Sequence, residues 1–263
     1  TLTITSGTYT GGLNVVKSEE GSKLTINGGK FTLNYAPSSG YTATILVYGD
    51  TTITGGEFIQ NATPKWGYPQ VVMTGLVEGY TAITRITGGS YTNKKSGDNI
   101  FHGYTPATSA NFEVSGGTFN KSISDGYCAD GFIPTKNADG TYGVKEGKYV
   151  AKVGSKKYET LADAIRLAAK GKTITLLANV KESVEISKNL TLDLNGFTLT
   201  NEGAKHTITV NEGFSLTIKD SVGTGKVDNV THGRGALVNN GTVILSGGTF
   251  ERSAEKGTLE PYG

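Results

Sequence analysis

The stretch of this sequence best suited to chemistry is Thr231-His-Gly-Arg-Gly235. A histidine beside an arginine could act as a general base next to an anion clamp. The same residue types also make a glycine-rich loop with two solvated side chains, and we favour this interpretation. His102 and His206 each stand alone, without a Cys or a second His at metal-ligand spacing. We therefore predict no catalytic residue, no metal site and no cofactor.

Carboxylates are the other groups to test, because glycoside hydrolysis usually needs two of them about 5 to 10 Å apart. The sequence contains no Asp-Asp pair. Asp193 and Asp220 lie in strand-like runs and are too isolated to form a calcium site, which takes about six to eight oxygen ligands. Carboxylates from distant segments could still meet in the fold. A polysaccharide lyase or glycoside hydrolase with a degenerate or unrecognised site is therefore the third candidate function.

The composition argues against nucleic acid and against membrane insertion. The net charge is only +2, and Lys and Arg are scattered without a basic stripe. No apolar stretch approaches the roughly 20 residues that a membrane span needs. Cys128 is the only cysteine, so it has no intrachain disulfide partner. Gly accounts for 38 of the 263 residues and Thr is similarly abundant, which favours strands joined by tight turns.

One repeated pattern organises the chain: a short alternating strand, a Gly-Gly corner and an aromatic residue, as in Leu24-Thr-Ile-Asn-Gly-Gly-Lys-Phe31. The aromatic residues that close its copies are Tyr9, Phe31, Phe58, Tyr91, Phe119 and, far downstream, Phe250. The first five are 22, 27, 33 and 28 residues apart. Such intervals without an amphipathic helix are typical of a β-solenoid whose coils stack about 4.8 Å apart. We predict an all-β fold, a right-handed parallel β-helix with these aromatics turned inward.

A helix is predicted near 160–170, at the start of the second half. Thr160 is a good N-cap, Asp163 occupies the capping-box position, and Gly171 can end the helix in a left-handed conformation. Because the first coil of a solenoid exposes its apolar core, this helix is expected to act as a lid. Further coil strands are predicted downstream at 174–177, 190–194, 214–218 and 242–245.

A hairpin is predicted at 132–144, with Asp139-Gly140 at its turn. We interpret it as the closing cap of a first module, 1–147, which is followed in series by a second module, 148–263. One uninterrupted solenoid with the hairpin and helix as a lateral insertion is the alternative. The segment near 257–262 stops about where another opening strand would come next, so the chain is expected to come from a tandem array.

Several segments resemble repeats of large surface proteins from gut Firmicutes. These segments are the Ser-Gly-Gly-Thr-Phe corners, Tyr127–Phe132, Tyr158–Ile165 and Asn189–Gly196. Proteins of that group carry pectin-lyase-like right-handed β-helices. The resemblance implies the fold and an extracellular setting on a Gram-positive cell wall, with attachment through segments outside this chain. It implies little about activity, because most such proteins have none assigned.

The longer coils of the first module carry aromatic residues at similar points after the corner, and coils stacked in register bring such loops to one side. The predicted binding residues are Tyr35, Tyr41, Trp66, Tyr68, Phe101, His102 and Tyr104. Exposed rings stack on sugars and anchor protein interfaces. We therefore expect an adhesin-type module that binds a host glycan, or a host protein such as an immunoglobulin, a mucin or a matrix protein. The alternatives are rings that only hold the loops down and a rigid stalk or spacer repeat.

Overall fold

The computed structural model describes residues 1–74, 82–103 and 111–253. The chain divides into two compact units, Thr1–Gly147 and Lys148–Gly263. Both consist of short strands whose parallel sheets stack as a β-solenoid, and one short α-helix accompanies them in the described part of the chain. The all-β solenoid predicted from the repeat is thus confirmed.

The first unit has three parallel sheets, in which neighbouring strands come from successive coils. The first sheet contains β1 (Leu2–Ile4), β4 (Lys23–Ile26), β7 (Asp50–Ile53), β10 (Thr84–Ile86) and β13 (Phe112–Val114). The second contains β2 (Thr8–Gly11), β5 (Lys30–Leu33), β8 (Glu57–Gln60), β11 (Ser90–Asn93) and β14 (Thr118–Phe119). The third contains β3 (Asn14–Ser18), β6 (Tyr41–Val47), β9 (Tyr68–Thr74) and β12 (Phe101–His102).

The repeat aromatics form a ladder inside the first unit. Tyr9, Phe31, Phe58, Tyr91 and Phe119 are register partners on successive coils. Their ring centroids are 4.9, 5.0, 4.8 and 5.3 Å apart. The last four rings are at most 1% exposed, whereas Tyr9 at the end of the ladder is half-buried. The inward orientation predicted for these side chains is therefore confirmed.

The two glycines of each corner are required for different reasons. At Gly55 an added Cβ would lie 2.6 Å from the carbonyl oxygen of Asn27 on the preceding coil. Gly56 instead has a φ of +118°, which side chains of L-residues rarely adopt. The first glycine therefore allows close stacking of coils, and the second turns the chain toward Phe58.

The predicted hairpin closes the second sheet of the first unit. Its strands are β15 (Phe132–Lys136) and β16 (Tyr142–Glu146), which pair antiparallel. The turn is held by Asp139, whose Oδ1 accepts a hydrogen bond from the Thr141 backbone N–H at 2.9 Å. Because β16 also pairs antiparallel with β14, the parallel stack ends there.

The second unit repeats the three-sheet arrangement. The first sheet contains β19 (Thr173–Leu176), β22 (Leu190–Asp193), β25 (Ser215–Lys219) and β28 (Thr242–Leu245). The second contains β20 (Val180–Lys181), β23 (Thr198–Asn201), β26 (Lys226–Asn229) and β29 (Thr249–Glu251), and the third contains β21 (Val184–Ile186), β24 (Ile208–Val210) and β27 (Leu237–Asn239).

The predicted helix is present near the start of the second unit, although it has a different C-cap. Helix α1 spans Leu161–Leu167, and Thr160 caps it as expected by accepting the Asp163 N–H at 3.0 Å. The short helix predicted near 160–170 is therefore confirmed. It ends at the C-cap Ala168, which is extended, so Gly171 is not its cap. At this end, the Lys188 ammonium on another coil donates to the carbonyls of Arg166 and Ala168 at 2.8 and 3.1 Å.

Two further features cap the start of the second unit: a hairpin and a carboxylate at the N-terminus of α1. A hairpin that the sequence reading missed, β17 (Ala151–Val153) and β18 (Lys156–Tyr158), adds antiparallel to β19. Its sequence signal is Gly154, which has a φ of +60° between two short alternating strands. The Glu182 carboxylate accepts the N–H groups of Leu161 and Ala162, both at 2.9 Å, and so occupies the N-terminus of α1.

Candidate functional site

Three of the predicted binding residues meet on the third sheet of the first unit. Tyr41 and Tyr68 are register partners, with stacked rings 5.3 Å apart between centroids. The His102 ring lies 4.5 Å from the Tyr41 ring at an interplanar angle of 17°. We call Tyr41, Tyr68 and His102 the aromatic patch. Burial lowers the pKa of His102, which favours its neutral, ring-stacking form at neutral pH.

A lysine supports the aromatic patch from the next coil. Lys95 Nζ lies 5.3 Å from the centre of the Tyr68 ring and 3.3 Å from Asp98 Oδ2, and it also donates to the Gly67 carbonyl. Both charged side chains are largely buried, with 16% and 10% of their side-chain area exposed. The Lys95 ammonium is therefore held in place by the protein, where the Tyr68 ring attracts it through a cation–π interaction.

The loops that precede the two tyrosines touch each other. An added Cβ on Gly67 would lie 2.4 Å from the Pro37 carbonyl oxygen, and Asn61 Nδ2 donates to Asn34 Oδ1 at 2.8 Å. These loops carry Tyr35 and Trp66, which are 57% and 66% exposed. Equivalent loops of neighbouring coils therefore lie against each other and present two further rings to solvent.

The remaining predicted binding residues do not join this surface. Phe101 is 1% exposed and packs against core rings that include Phe119 and Tyr127. It belongs to the core because the side chains of a strand alternate between faces, which turns Phe101 inward and its neighbour His102 outward. Tyr104 lies outside the described residues.

The exposed set therefore combines two kinds of ring. Tyr41 packs against both Tyr68 and His102, as expected if the aromatics hold long loops in place. Trp66 contacts only the ammonium of its neighbour Lys65, 4.9 Å from the ring centre, among the described aromatic and cation–π contacts. Trp66 is consequently the residue that best separates a binding role from a packing role.

The structure brings His206 to the glycine-rich loop at 231–235, which the sequence reading treated separately. The Gly235 N–H donates to His206 Nδ1 at 2.8 Å, although the residues are 29 positions apart. Arg252 Nε donates to the Arg234 carbonyl at 3.1 Å. A cavity of about 600 Å³ lies beside this loop, with Leu237, Leu245 and Phe250 among the residues in its wall.

The two aspartates considered above hold corners of the second unit. Asp193 Oδ1 accepts the N–H groups of Asn195 and Ser221, both at 3.0 Å, and its Oδ2 lies 3.1 Å from the Lys219 ammonium. Asp220 accepts the N–H groups of Gly196 and Gly225 at 2.8 and 2.6 Å. Burial raises the pKa of each carboxyl, but these hydrogen bonds outweigh it and leave both pKa values lowered.

Substitution of Asp193 by Asn is expected to destabilise the protein by about 1 to 2 kcal/mol at pH 7, because the amide NH₂ cannot accept a hydrogen bond from Lys219. The folded pKa of Asp193 lies below its ordinary value of 3.8. The carboxylate therefore stabilises the fold fully above that value, and the contribution is lost as the pH falls through the folded pKa. The unfolding free energies of wild type and variant, measured in urea, should differ from pH 7 to about pH 5 and converge only as the pH falls through the folded pKa, which lies below 3.8.

The control for this experiment is Glu212→Gln, which removes one negative charge from an exposed position of the same unit. It should leave the unfolding free energy unchanged at each pH. A wild-type-to-Asp193→Asn difference that persists unchanged to pH 2 would contradict the role assigned to the ionised carboxylate.

Other reactive groups are separated from one another. Burial, with a smaller contribution from Asp125, raises the pKa of Cys128 to about 11, so its thiol stays protonated at neutral pH. Within residues 1–74, 82–103 and 111–253, no three His, Cys, Asp or Glu side chains lie close enough to hold a metal ion. No helix in those same ranges is both long and apolar enough to cross a membrane.

The strand topology defines the class of protein: each of the two units is a parallel β-solenoid. No protein-family model matches the chain, and neither a curated protein nor a solved structure matches it. The class therefore rests on the stacked sheets and the aromatic ladder themselves.

Proposed function

We propose that this chain is a non-catalytic binding module that contacts a glycan through exposed rings on the first unit. The observation that carries the proposal is the set of four exposed aromatic side chains on two neighbouring coils. Their exposed fractions are 57% for Tyr35, 45% for Tyr41, 66% for Trp66 and 50% for Tyr68. Flat rings of this kind bury large apolar faces against a ligand, and sugars offer matching C–H faces.

The stacking of Tyr41 on Tyr68 supports a glycan further. Because β6 and β9 fix both tyrosines in register, the aromatic patch is ordered before any ligand arrives. Ordered rings lose little conformational entropy on binding. The Tyr68 ring and the Lys95 ammonium beside it supply the combination of apolar faces and a few polar groups typical of ligand sites.

The setting is proposed from the sequence resemblance: an extracellular segment of a Gram-positive surface protein from a gut bacterium, with a pectin-lyase-like β-helix. A host glycan such as that of mucin is then the ligand to test first. A host protein such as an immunoglobulin or a matrix protein is the second, because exposed Trp and Tyr side chains are the usual anchors of protein interfaces.

The experiment is a binding screen of the purified chain against mucin glycans, immunoglobulins and matrix proteins. A glycan hit should weaken at least about tenfold in the Trp66→Ala/Tyr68→Ala variant, since each ring anchors of order 1 kcal/mol or more. The matched control is Val222→Ala, an apolar truncation at a 62% exposed position of the second unit, which should bind as wild type. Glycan binding that survives the double substitution would disprove this face as the site.

A structural spacer is the second candidate function. It is favoured by the packing of Tyr41 against both Tyr68 and His102, which fixes loops whether or not a ligand is present. A protein with no ligand in the screen and with lower thermal stability in Tyr41→Ala would support the spacer.

A further inference from the structure

The loops that carry the exposed rings are rich in lysine. They follow strands of the second sheet of the first unit and span 34–40, 61–67 and 94–100, and Lys121 follows the same sheet on the next coil. Their charged side chains are Lys65, Lys94, Lys95, Asp98 and Lys121. Four lysines and one aspartate give these loops a formal charge of +3, whereas the whole chain has a net charge of +2. The face that presents the aromatic rings is therefore positively charged.

Two of these lysines lie against the rings themselves. The Lys65 ammonium is 4.9 Å from the centre of the Trp66 ring, and the Lys95 ammonium is 5.3 Å from the centre of the Tyr68 ring. Lys65, Trp66 and Tyr68 are exposed, and Lys95 is partly so. A ligand that packs on either ring therefore comes close to an ammonium group.

Two ammonium groups of this face share a single carboxylate. Lys95 Nζ lies 3.3 Å from Asp98 Oδ2, and Lys121 Nζ donates to the backbone carbonyls of Lys95 and Asp98, the latter at 2.9 Å. Burial lowers the pKa of Lys121, and the Asp98 carboxylate offsets this effect only in part. Asp98 is the only acidic residue in these loops. A second anion bound nearby would therefore stabilise both ammonium groups.

We propose that the ligand of this face is an acidic glycan, one that carries carboxylate or sulfate groups. This inference rests on the proposed function, since it names the ligand class for the same exposed rings. The rings contact the apolar faces of the sugars, and Lys65 and Lys95 attract the anionic groups. Charges of one sign around a site concentrate ligands of the opposite sign and select them over neutral ones.

The test is binding of the purified chain to four forms of immobilised mucin: untreated, freed of sialic acid, freed of sulfate, and freed of both. We expect the doubly treated form to bind at least about tenfold more weakly than the untreated form. The two single treatments show whether carboxylate or sulfate supplies the charge. Raising the salt from about 0.1 M to 1 M should remove most of the difference, because the Debye length falls from about 10 Å to 3 Å.

A charge reversal locates the recognition of the anion. Lys65→Glu should weaken binding to untreated mucin at least about fivefold more than binding to the doubly treated form. The matched control is Lys23→Glu, which makes the same change in total charge at an exposed position of the first sheet of this unit. It should bind untreated mucin within about twofold of wild type, because most of its charge is screened at that distance.

Failure of this inference and failure of the proposed function give different results. If untreated and doubly treated mucin bind equally, and both lose binding in Trp66→Ala/Tyr68→Ala, the rings bind a neutral glycan and the acidic class is wrong. Equal losses in Lys65→Glu and Lys23→Glu would also overturn the inference, because the attraction would then come from total charge and not from this face. A chain that binds no form of mucin overturns both proposals.

Discussion

Gly116→Ala is expected to destabilise the first unit by about 3 kcal/mol or more. The added Cβ would lie 2.1 Å from the Thr87 carbonyl oxygen and 2.6 Å from its carbon. Both are backbone atoms held by the hydrogen bonds between coils, so neither can move aside without opening the stack. Urea unfolding followed by far-UV circular dichroism measures the loss.

Two other glycines serve as graded controls. Gly97 has a φ of +82° with nothing within 4 Å of an added Cβ, so Gly97→Ala should cost only about 1 to 2 kcal/mol of backbone strain. Gly12 lacks both constraints, and Gly12→Ala should be neutral or stabilise by up to about 1 kcal/mol. Because Gly116 has no positive φ, a loss at Gly116 no larger than that at Gly97 would contradict the clash expected from close stacking of the coils.

Phe58→Ala is expected to cost about 3 to 5 kcal/mol of unfolding free energy. Phe58 is fully buried in the middle of the aromatic ladder, with Phe31 5.0 Å and Tyr91 4.8 Å away between ring centroids. Removing the ring leaves a cavity that the stacked coils cannot close, because hydrogen bonds fix their separation on both sides. The loss is measured from the midpoint and slope of urea unfolding, followed by far-UV circular dichroism as for Gly116→Ala.

Two other aromatic residues, Tyr9 and Trp66, serve as comparisons for Phe58→Ala. Tyr9 stacks on Phe31 alone and is half-buried, so Tyr9→Ala should cost clearly less than Phe58→Ala. Trp66→Ala, at a 66% exposed position, should change stability by less than about 0.5 kcal/mol. A loss at Trp66 comparable to that at Phe58 would mean that Trp66 packs against the fold and would weaken the proposed binding role.

Local sequence was sufficient to predict the solenoid. The strand, the Gly-Gly corner and the aromatic lie within eight residues, and each coil repeats the same short-range requirements. Alternation places Ile53 inward, the two glycines allow close approach and a left-handed turn, and Phe58 then faces the core. The same locality explains why the hairpin turn at Asp139 and the N-cap at Thr160 were predicted from sequence.

Features that depend on contacts between coils could not be predicted from the sequence alone. Loops of unequal length separate the coils, so spacing alone could not show that Phe101 enters the core while Tyr41 and Tyr68 stack outside it. Asp193 and Asp220 each accept a hydrogen bond from an amide more than twenty residues away, and the last carbonyls of α1 are bound by Lys188 from another coil. The physical reason is common to all three: stacking brings residues one coil apart into contact, and only the folded register decides which residues meet.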